Sequence, residues 1–559
     1  LLRQNAAMAE EEACCLVSVS GPSGSPQANA GPWSCSGVIL SRGPGLVLCQ
    51  GAVFTPFLRD GPAAWAQPCS LLPDALQPCL RLLVLQPPAG IRRPTLGLNA
   101  AVVPPSPAGG LRQHKAQLLA LVPCGAFQQA LAQAFGQAEQ WRFGGEAAED
   151  DQRALHWFAW LRVPGLDSAG GGWTARASAS CLHKGEGLLA CGSPFGALCP
   201  DLFLNTLSRG VVSNLAGEEN ALVLTDARCL PGTEGGGAFL PSPTRPLLVA
   251  IIAASFCWKG AEWIGLTLLC SLAAILRSST GVLDEAGVVV PPMPGRVAAV
   301  QAGSRQDPLA WAVLVECGAT WGSGVLLAPR LLLTCRHVVE AGGQLCVTPT
   351  PGPGRAAAVL KGHVVFATEE SSPFDVAVVE LEERVPGFAA LCPADTFLPG
   401  KQLGVVGFGA LGRACGPSVT AGVLSAVVAV SGRPVMLQTT CAVHGGSSGG
   451  PLVSSHSGRL LGKQGISHRW GRGSHGTDTV TWALLLSPQG IVASNTRDTG
   501  AGATYPHLNF CIPITILQPP VVRYCRTGNR SAFAELNSAG EGVRAAWRLQ
   551  RQPGHPSKL

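Results

Sequence analysis

Charge is scarce in this chain of 559 residues, where Asp, Glu, Lys and Arg make up only 13% and 40 basic against 34 acidic side chains leave a formal charge of +6. The basic residues form no long run, so neither nucleic-acid nor membrane-surface binding has support. Long apolar runs are missing as well. The two most apolar stretches, residues 246–258 and 264–276, are too short to span a bilayer and predict buried strands. No basic segment followed by an apolar one opens the sequence, which starts at Leu1 and sets Glu10, Glu11 and Glu12 before Cys14 and Cys15; no secretory signal is visible. Aromatic residues are few, at 6%, and the 70 Gly and 45 Pro follow no collagen period. With 47% apolar residues, this composition predicts an all-β protein of short strands, tight turns and large cores. No cofactor and no metal is expected.

What is present is a repeat. Trp33-Ser34-Cys35-Ser36-Gly37-Val38, continuing to Cys49, recurs as Trp321-Gly322-Ser323-Gly324-Val325, continuing to Cys335. Cys191 to Gly196 echoes Val406 to Gly409, and Leu224 to Cys229 with Gly235-Gly236-Gly237 echoes Leu437 to Cys441 with Gly449-Gly450-Pro451. Three echoes in one order indicate duplication. The first copy is placed at 12–278, with a Pro- and Leu-rich insertion at about 60–110, and the second at 308–525, with a linker at 279–307 and a tail at 526–559.

The second copy carries the chemistry. A serine hydroxyl becomes a nucleophile when a base takes its proton, a third group orients the base and backbone N–H groups hold the oxyanion. Ser448 lies in Gly446-Ser447-Ser448-Gly449-Gly450-Pro451, whose glycines permit a tight turn that aims the N–H groups of Gly446 and Ser448 at one point. Ser447 is the rival, and the following Gly-Gly-Pro sets the register on Ser448. His337 ends the apolar strand 331–334 and is the candidate base. Asp375 stands at the mouth of the apolar run 376–379, where a carboxylate must be paired, and is the candidate orienting acid; Asp395, in a polar turn-like segment, is the alternative. Near the matching positions of the first copy stand Cys49-Gln50-Gly51, Trp157 and Glu234, from which no proton shuttle can be built.

The order His, Asp, Ser is that of chymotrypsin-like enzymes. Thr334 to Val338, Phe374 to Val378, Gly446 to Leu452 and Leu508 to Ile514 resemble the HtrA branch of that superfamily. The expected fold is two tandem chymotrypsin/HtrA-like double β-barrel domains, the first degenerate, with too few residues after the second for a PDZ domain. Together with Pro32 to Val38, Asp226 to Gly237, Gln438 to Pro451 and Ser494 to Phe510, the terminal Ser557-Lys558-Leu559 resembles the family of peroxisomal leader-peptide processing proteases, also called glyoxysomal processing proteases. The resemblance implies a serine endopeptidase that removes leader peptides from imported matrix enzymes, β-oxidation enzymes among them, and processes itself.

Ser557-Lys558-Leu559 is also the tripeptide read by the peroxisomal import receptor, which predicts a matrix protein, and 21 Cys, an odd number, fit mostly free thiols. Six residues before the nucleophile stands Ala442, which implies a neutral P1 pocket for small or apolar groups. Ser494 lies on the strand that borders this pocket in related sequences. Residues 463–489 interrupt the run from Leu461 to Ile491 and are read as an insertion. Cys79, in the loop segment of the first copy, is the candidate self-cleavage residue. The competing reading is a silent pseudoprotease that holds peroxisomal enzymes, and self-association into a homo-oligomer stays open.

Overall fold

The structure is a computed structural model that describes residues 12–21, 32–87, 110–136, 141–144, 152–166, 172–242, 245–260, 262–293, 308–340, 343–350, 358–386, 388, 396–454, 487–498 and 503–548. Its contacts separate two compact units, one of residues 1–297 with 418–420 and 499–506, the other of the remainder. Both are built from antiparallel strands.

In neighbour order, the first sheet of the first unit runs Arg112–Lys115, Arg81–Gln86, Cys14–Ser20, Trp33–Ser41, Leu46–Gln50, Trp157–Arg162 and Gln117–Pro123. A closed barrel follows, of Thr206–Ala216, Leu222–Thr225, Thr267–Ser271, Leu247–Ala254, Gly237–Leu240 and Gly187–Gly192. In the second unit both sheets close. One barrel runs Ala312–Cys317, Thr320–Ala328, Leu331–Thr334, Ala377–Leu381, Leu360–Ala367 and Leu345–Pro349. The other runs Gln402–Gly407, Ser418–Val430, Arg433–Thr439, Ala503–Pro513, Ser487–Asp498 and Pro451–Ser454. The expected all-β architecture of chymotrypsin-like barrels is therefore observed, with seven strands in the first sheet.

The strands form where β-branched and aliphatic side chains run nearly unbroken, since both faces need cover in a small closed sheet. Leu331–Thr334 is buried at every position, as is Leu46–Gln50. The repeat survives in the register. Gly37 faces Cys49 as Gly324 faces Thr334, and an irregularity interrupts both hairpins at the same place, between Ile39 and Ser41 and between Leu326 and Ala328. This register pairs Ser36 with Ser323 and hence Ser34 with Trp321. Trp33, 44% exposed, is thus not the counterpart that the tryptophan echo implies.

Four segment boundaries need correction. Residues 61–87 are not a bare loop: they form short 3-10 turns and then Arg81–Gln86, which pairs with Cys14–Ser20. The supposed linker begins as structure, since Trp160 Nε1 donates to Ser279 Oγ at 2.7 Å, Arg162 Nη2 to the Ala286 carbonyl at 2.6 Å and Arg176 Nη2 to that of Pro291 at 2.6 Å. Ser487, Pro488 and Gln489 belong to a strand rather than to the insertion, because Ser454 pairs with Ser487 and Val453 with Pro488. Finally, residues 526–548 are not a tail. The helix Ile514–Thr527 continues to Thr527, the 3-10 segment Arg530–Leu536 buries Phe533 and Leu536, and the helix Glu541–Ala546 delivers Trp547, 1% exposed, whose Nε1 donates to the Val435 carbonyl at 3.2 Å. Helix-breaking Pro519 and Pro520 inside Ile514–Thr527 hid this extension from any periodicity.

Truncating a fully buried aromatic removes its packing and leaves a cavity, at a cost of about 3–5 kcal/mol. Trp547→Ala is expected to destabilise the second unit by about that much, read as a lower urea midpoint for its unfolding transition; an unchanged midpoint would mean that the extension is dispensable.

Candidate active site

Three segments of the second unit converge. Leu331–Thr334 is tied to its neighbour by Thr334 Oγ1, which donates to the Ser323 carbonyl at 2.7 Å. Cys335 continues the extended chain, its thiol donating to the Val492 carbonyl at 3.2 Å, and the 3-10 turn Arg336–Val338 then presents His337. Ala377, which opens the adjacent strand, pairs with Thr334, so Asp375 leaves the barrel at the same end as His337. The Asp375 loop is held by Thr368, whose Oγ1 donates to the Phe374 carbonyl at 2.7 Å and accepts from Val376 N–H at 3.1 Å. The C-terminal extension backs it: Ser372 Oγ donates to the Leu536 carbonyl at 2.7 Å, and Phe374 meets Trp547 edge-on at 6.0 Å.

Asp375 grips His337 twice. Oδ1 accepts from the His337 backbone N–H at 3.1 Å, and Oδ2 makes a short hydrogen bond with the ring Nδ1. Burial pushes the Asp375 carboxyl up, but the hydrogen bond and charge of His337, with Arg336 behind them, outweigh it and hold the group below the usual carboxylate range. With Nδ1 so occupied, Nε2 points away from the acid, and it is buried without a partner, as is Ser448 Oγ. Two unpaired polar atoms in the interior are costly and mark a place where a reacting molecule completes the bonding.

The Ser448 loop is fixed by its own backbone. Ser447 N–H donates to the His444 carbonyl, Gly450 N–H to that of Ser447 and Gly449 N–H to that of Val492. Gly446 and Gly449 take φ of 90° and 84°, and a Cβ at Gly449 would lie 2.2 Å from the Ser323 carbonyl oxygen. Among the described residues, the N–H groups of Gly446 and Ser448 donate to nothing. Ala442 is buried, 2% exposed. Ser494 lies on Ser487–Asp498. Asp395 and Ser557-Lys558-Leu559 lie outside the described residues. Cys79 is exposed, at a turn with φ of 63° immediately before Arg81–Gln86. Every cysteine among the described residues is a free thiol.

Cys335, His337 and Asp375 also bring ligand atoms within 4.8 Å of one another. The donor set suits a metal poorly: His337 Nδ1 is engaged by Asp375, and burial pushes the Cys335 thiol well above its ordinary range, against the thiolate a metal needs.

The first unit repeats this scaffold without its chemistry. Strand register places Ala52, rather than the Cys49-Gln50-Gly51 stretch, at the position of His337 and puts Trp157 at that of Asp375. Glu234 stands where Ser448 does, and its Oε2 accepts from Gly232 N–H at 2.8 Å while Oε1 accepts from Ser255 N–H and Oγ. The counterpart of the Gly446 donor is therefore occupied by a carboxylate of the chain itself.

The fold and site define a chymotrypsin-like serine peptidase. A family model for the trypsin-like peptidase domain matches residues 322–462, the stretch that holds His337, Asp375 and Ser448. Over 585 residues the chain is 48% identical to the peroxisomal leader peptide-processing protease of Mus musculus, covering 97% of this chain and 96% of that protein. It is 46% identical over 589 residues to the protein of the same name from Homo sapiens, covering 98% and 97%. The chain belongs to the family of peroxisomal leader peptide-processing proteases.

Since the folded Asp375 carboxyl titrates below the unfolded value of about 3.9, its stabilisation is complete above that value and is lost as pH falls through the folded one. Thermal melting from about pH 5 down to pH 2 is expected to show a decline that is shallower in Asp375→Asn. Parallel profiles would remove the charge-paired reading of this site.

Proposed function

We propose that this chain is a peroxisomal endopeptidase that removes leader peptides from imported matrix proteins, β-oxidation enzymes among them, and cleaves itself. The observation that carries the mechanism is the pairing of Asp375 with His337 while His337 Nε2 and Ser448 Oγ remain buried and unpaired. His337 Nε2 takes the Ser448 proton as Oγ attacks the scissile carbonyl. The N–H groups of Gly446 and Ser448 receive the oxyanion, and Asp375 holds the imidazole in the required tautomer and stabilises the imidazolium. His337 then returns the proton to the leaving amine, and water, activated by the same nitrogen, releases the acyl group.

The substrate class follows from the names of the two relatives and from the family resemblance. Ser557-Lys558-Leu559 supports delivery to the peroxisomal matrix by the import receptor. Ala442 supports a neutral P1 pocket, bordered by the strand that carries Ser494, which favours small or apolar side chains over Lys and Arg. The first copy, with Ala52, Trp157 and Glu234 at the three positions, takes the silent scaffold role, and the second does the catalysis.

Incubation of the full chain with a leader-bearing peroxisomal precursor is expected to give cleavage that Ser448→Ala abolishes while its circular dichroism stays unchanged, and an organophosphonate should label Ser448 alone. Cleavage that persists in Ser448→Ala would sink the mechanism. Self-processing at Cys79 is expected from its exposed turn, and N-terminal sequencing of fragments decides it: a fragment beginning at Leu80 supports the assignment, and cleavage elsewhere or an intact chain removes it.

A further inference from the structure

Gly446 is packed against a residue outside its own loop. A methyl group on its Cα would lie 2.4 Å from Cζ3 and 2.5 Å from Cη2 of Trp321, and 2.5 Å from the Phe408 carbonyl oxygen. The Cβ side of the glycine is thus covered by an indole ring and a backbone carbonyl, with φ at 90°. The ring is itself held. Arg413, on the short helix Gly412–Cys415, lies over it with Cζ 5.5 Å from the ring centroid and forms an ion pair at 2.6 Å with Glu316, which faces Trp321 across the hairpin.

The first copy offers a contrast. Ser34 and Ser18 take the register places of Trp321 and Glu316. There the corresponding glycine, Gly232, meets the backbone of Ser193, Pro194 and Phe195 instead of a ring, and its N–H is bound by Glu234. The ring and its ion pair occur in the copy that keeps the N–H free. In that copy nothing among the described residues accepts this N–H, so its direction depends on packing around the glycine.

We propose that Trp321, steadied by Arg413 and Glu316, is a positioning residue for the oxyanion hole: its ring blocks rotation of the peptide before Gly446 and keeps that N–H aimed at the developing oxyanion. The role rests on Ser448 being the nucleophile. A ring acting in this way raises kcat and leaves ground-state binding nearly untouched, because the donor it aims is used most in the transition state.

The test uses the full chain and a peptide that the wild type cleaves. Trp321→Leu is expected to lower kcat roughly 10- to 100-fold, short of the full loss of a donor, with KM within about threefold, and to weaken a peptide aldehyde, whose hemiacetal oxygen occupies the hole, in parallel with kcat. Trp321→Phe should recover kcat to within about fivefold of wild type. A kcat for Trp321→Leu within about threefold of wild type overturns the proposal, as does a Phe variant no better than Leu. Should Trp321→Leu fail to fold, Arg413→Gln, which frees the ring without shortening it, carries the test: a several-fold fall in kcat at constant KM supports the role, and an unchanged kcat overturns it. Cleavage that survives Ser448→Ala removes the nucleophile assignment instead, whatever the Trp321 variants do.

Discussion

Ser323 is the joint on which the geometry of the candidate site hangs. Its N–H donates to the Ser448 carbonyl at 2.9 Å, its hydroxyl donates to the Gly446 carbonyl at 2.7 Å, and the same hydroxyl accepts from Phe408 N–H at 2.7 Å. These bonds fasten the Ser448 loop and the end of the strand Gln402–Gly407 to the barrel that carries His337 and Asp375. With both loop carbonyls pinned, the N–H groups of Gly446 and Ser448 have few directions left. Loss of the hydroxyl would strand buried donors and acceptors, each at a cost of about 1–3 kcal/mol. Ser36 makes the same three bonds in the first copy, to Glu234 at 2.9 Å, Gly232 at 2.7 Å and from Ser193 at 2.7 Å. The joint therefore serves the double barrel as a fold, and catalysis uses a rigidity that the fold already has.

On that joint the second copy tolerates unpaired groups. Ser448 Oγ and His337 Nε2 forgo hydrogen bonds, and Asp375 is charged in a largely buried place, so the local structure holds several groups in states that unfolding would relieve. Neighbours restrain them from several sides: Thr368 and Ser372 hold the Asp375 loop, and Cys335 ties the His337 turn to Val492. Ser372 and Phe374 in turn lean on residues 536 and 547, which makes the C-terminal extension part of the support for the acid. Precise placement of a reactive group requires such supporting contacts.

The legible part of the sequence was the part governed by short-range rules. Glycines around Ser448, a His at a strand end and an Asp at a strand mouth each carry a local physical signature, and the fold class follows from their order. Strand register was less accessible, because the identical letters of the two hairpins lie one place out of it: Trp33 and Cys49 match Trp321 and Cys335 by residue type, while the strands put Ser34 at the place of Trp321 and Cys49 at that of Thr334. The letter match therefore moves the apparent base position from Ala52 onto its neighbours and makes Trp33 look equivalent to Trp321. The extension after 525 escaped for another reason: Pro519 and Pro520, just ahead of it, obscure the helical pattern of Ile514–Thr527, and Trp547 is buried by contacts more than a hundred residues away in sequence. Ser323 looked like one more small residue in a Gly-Ser hairpin, since nothing local reveals a hydroxyl that bonds residues 85 and 123 positions distant.

Glu234 shows how far the first copy has settled into a different state. Its carboxylate satisfies Gly232 N–H and both donors of Ser255, so the turn that would hold an oxyanion already contains one, fixed by the chain. Replacing this residue with serine would leave those three donors without their acceptor in a part-buried place, while Ala52 and Trp157 still supply neither base nor acid. The copies thus differ by more than Glu234 against Ser448: the N–H of Gly232 has an acceptor in the chain, and that of Gly446 has none among the described residues. The two copies share this backbone and differ in side chain at four of its positions, Ala52 or His337, Trp157 or Asp375, Glu234 or Ser448, and Ser34 or Trp321.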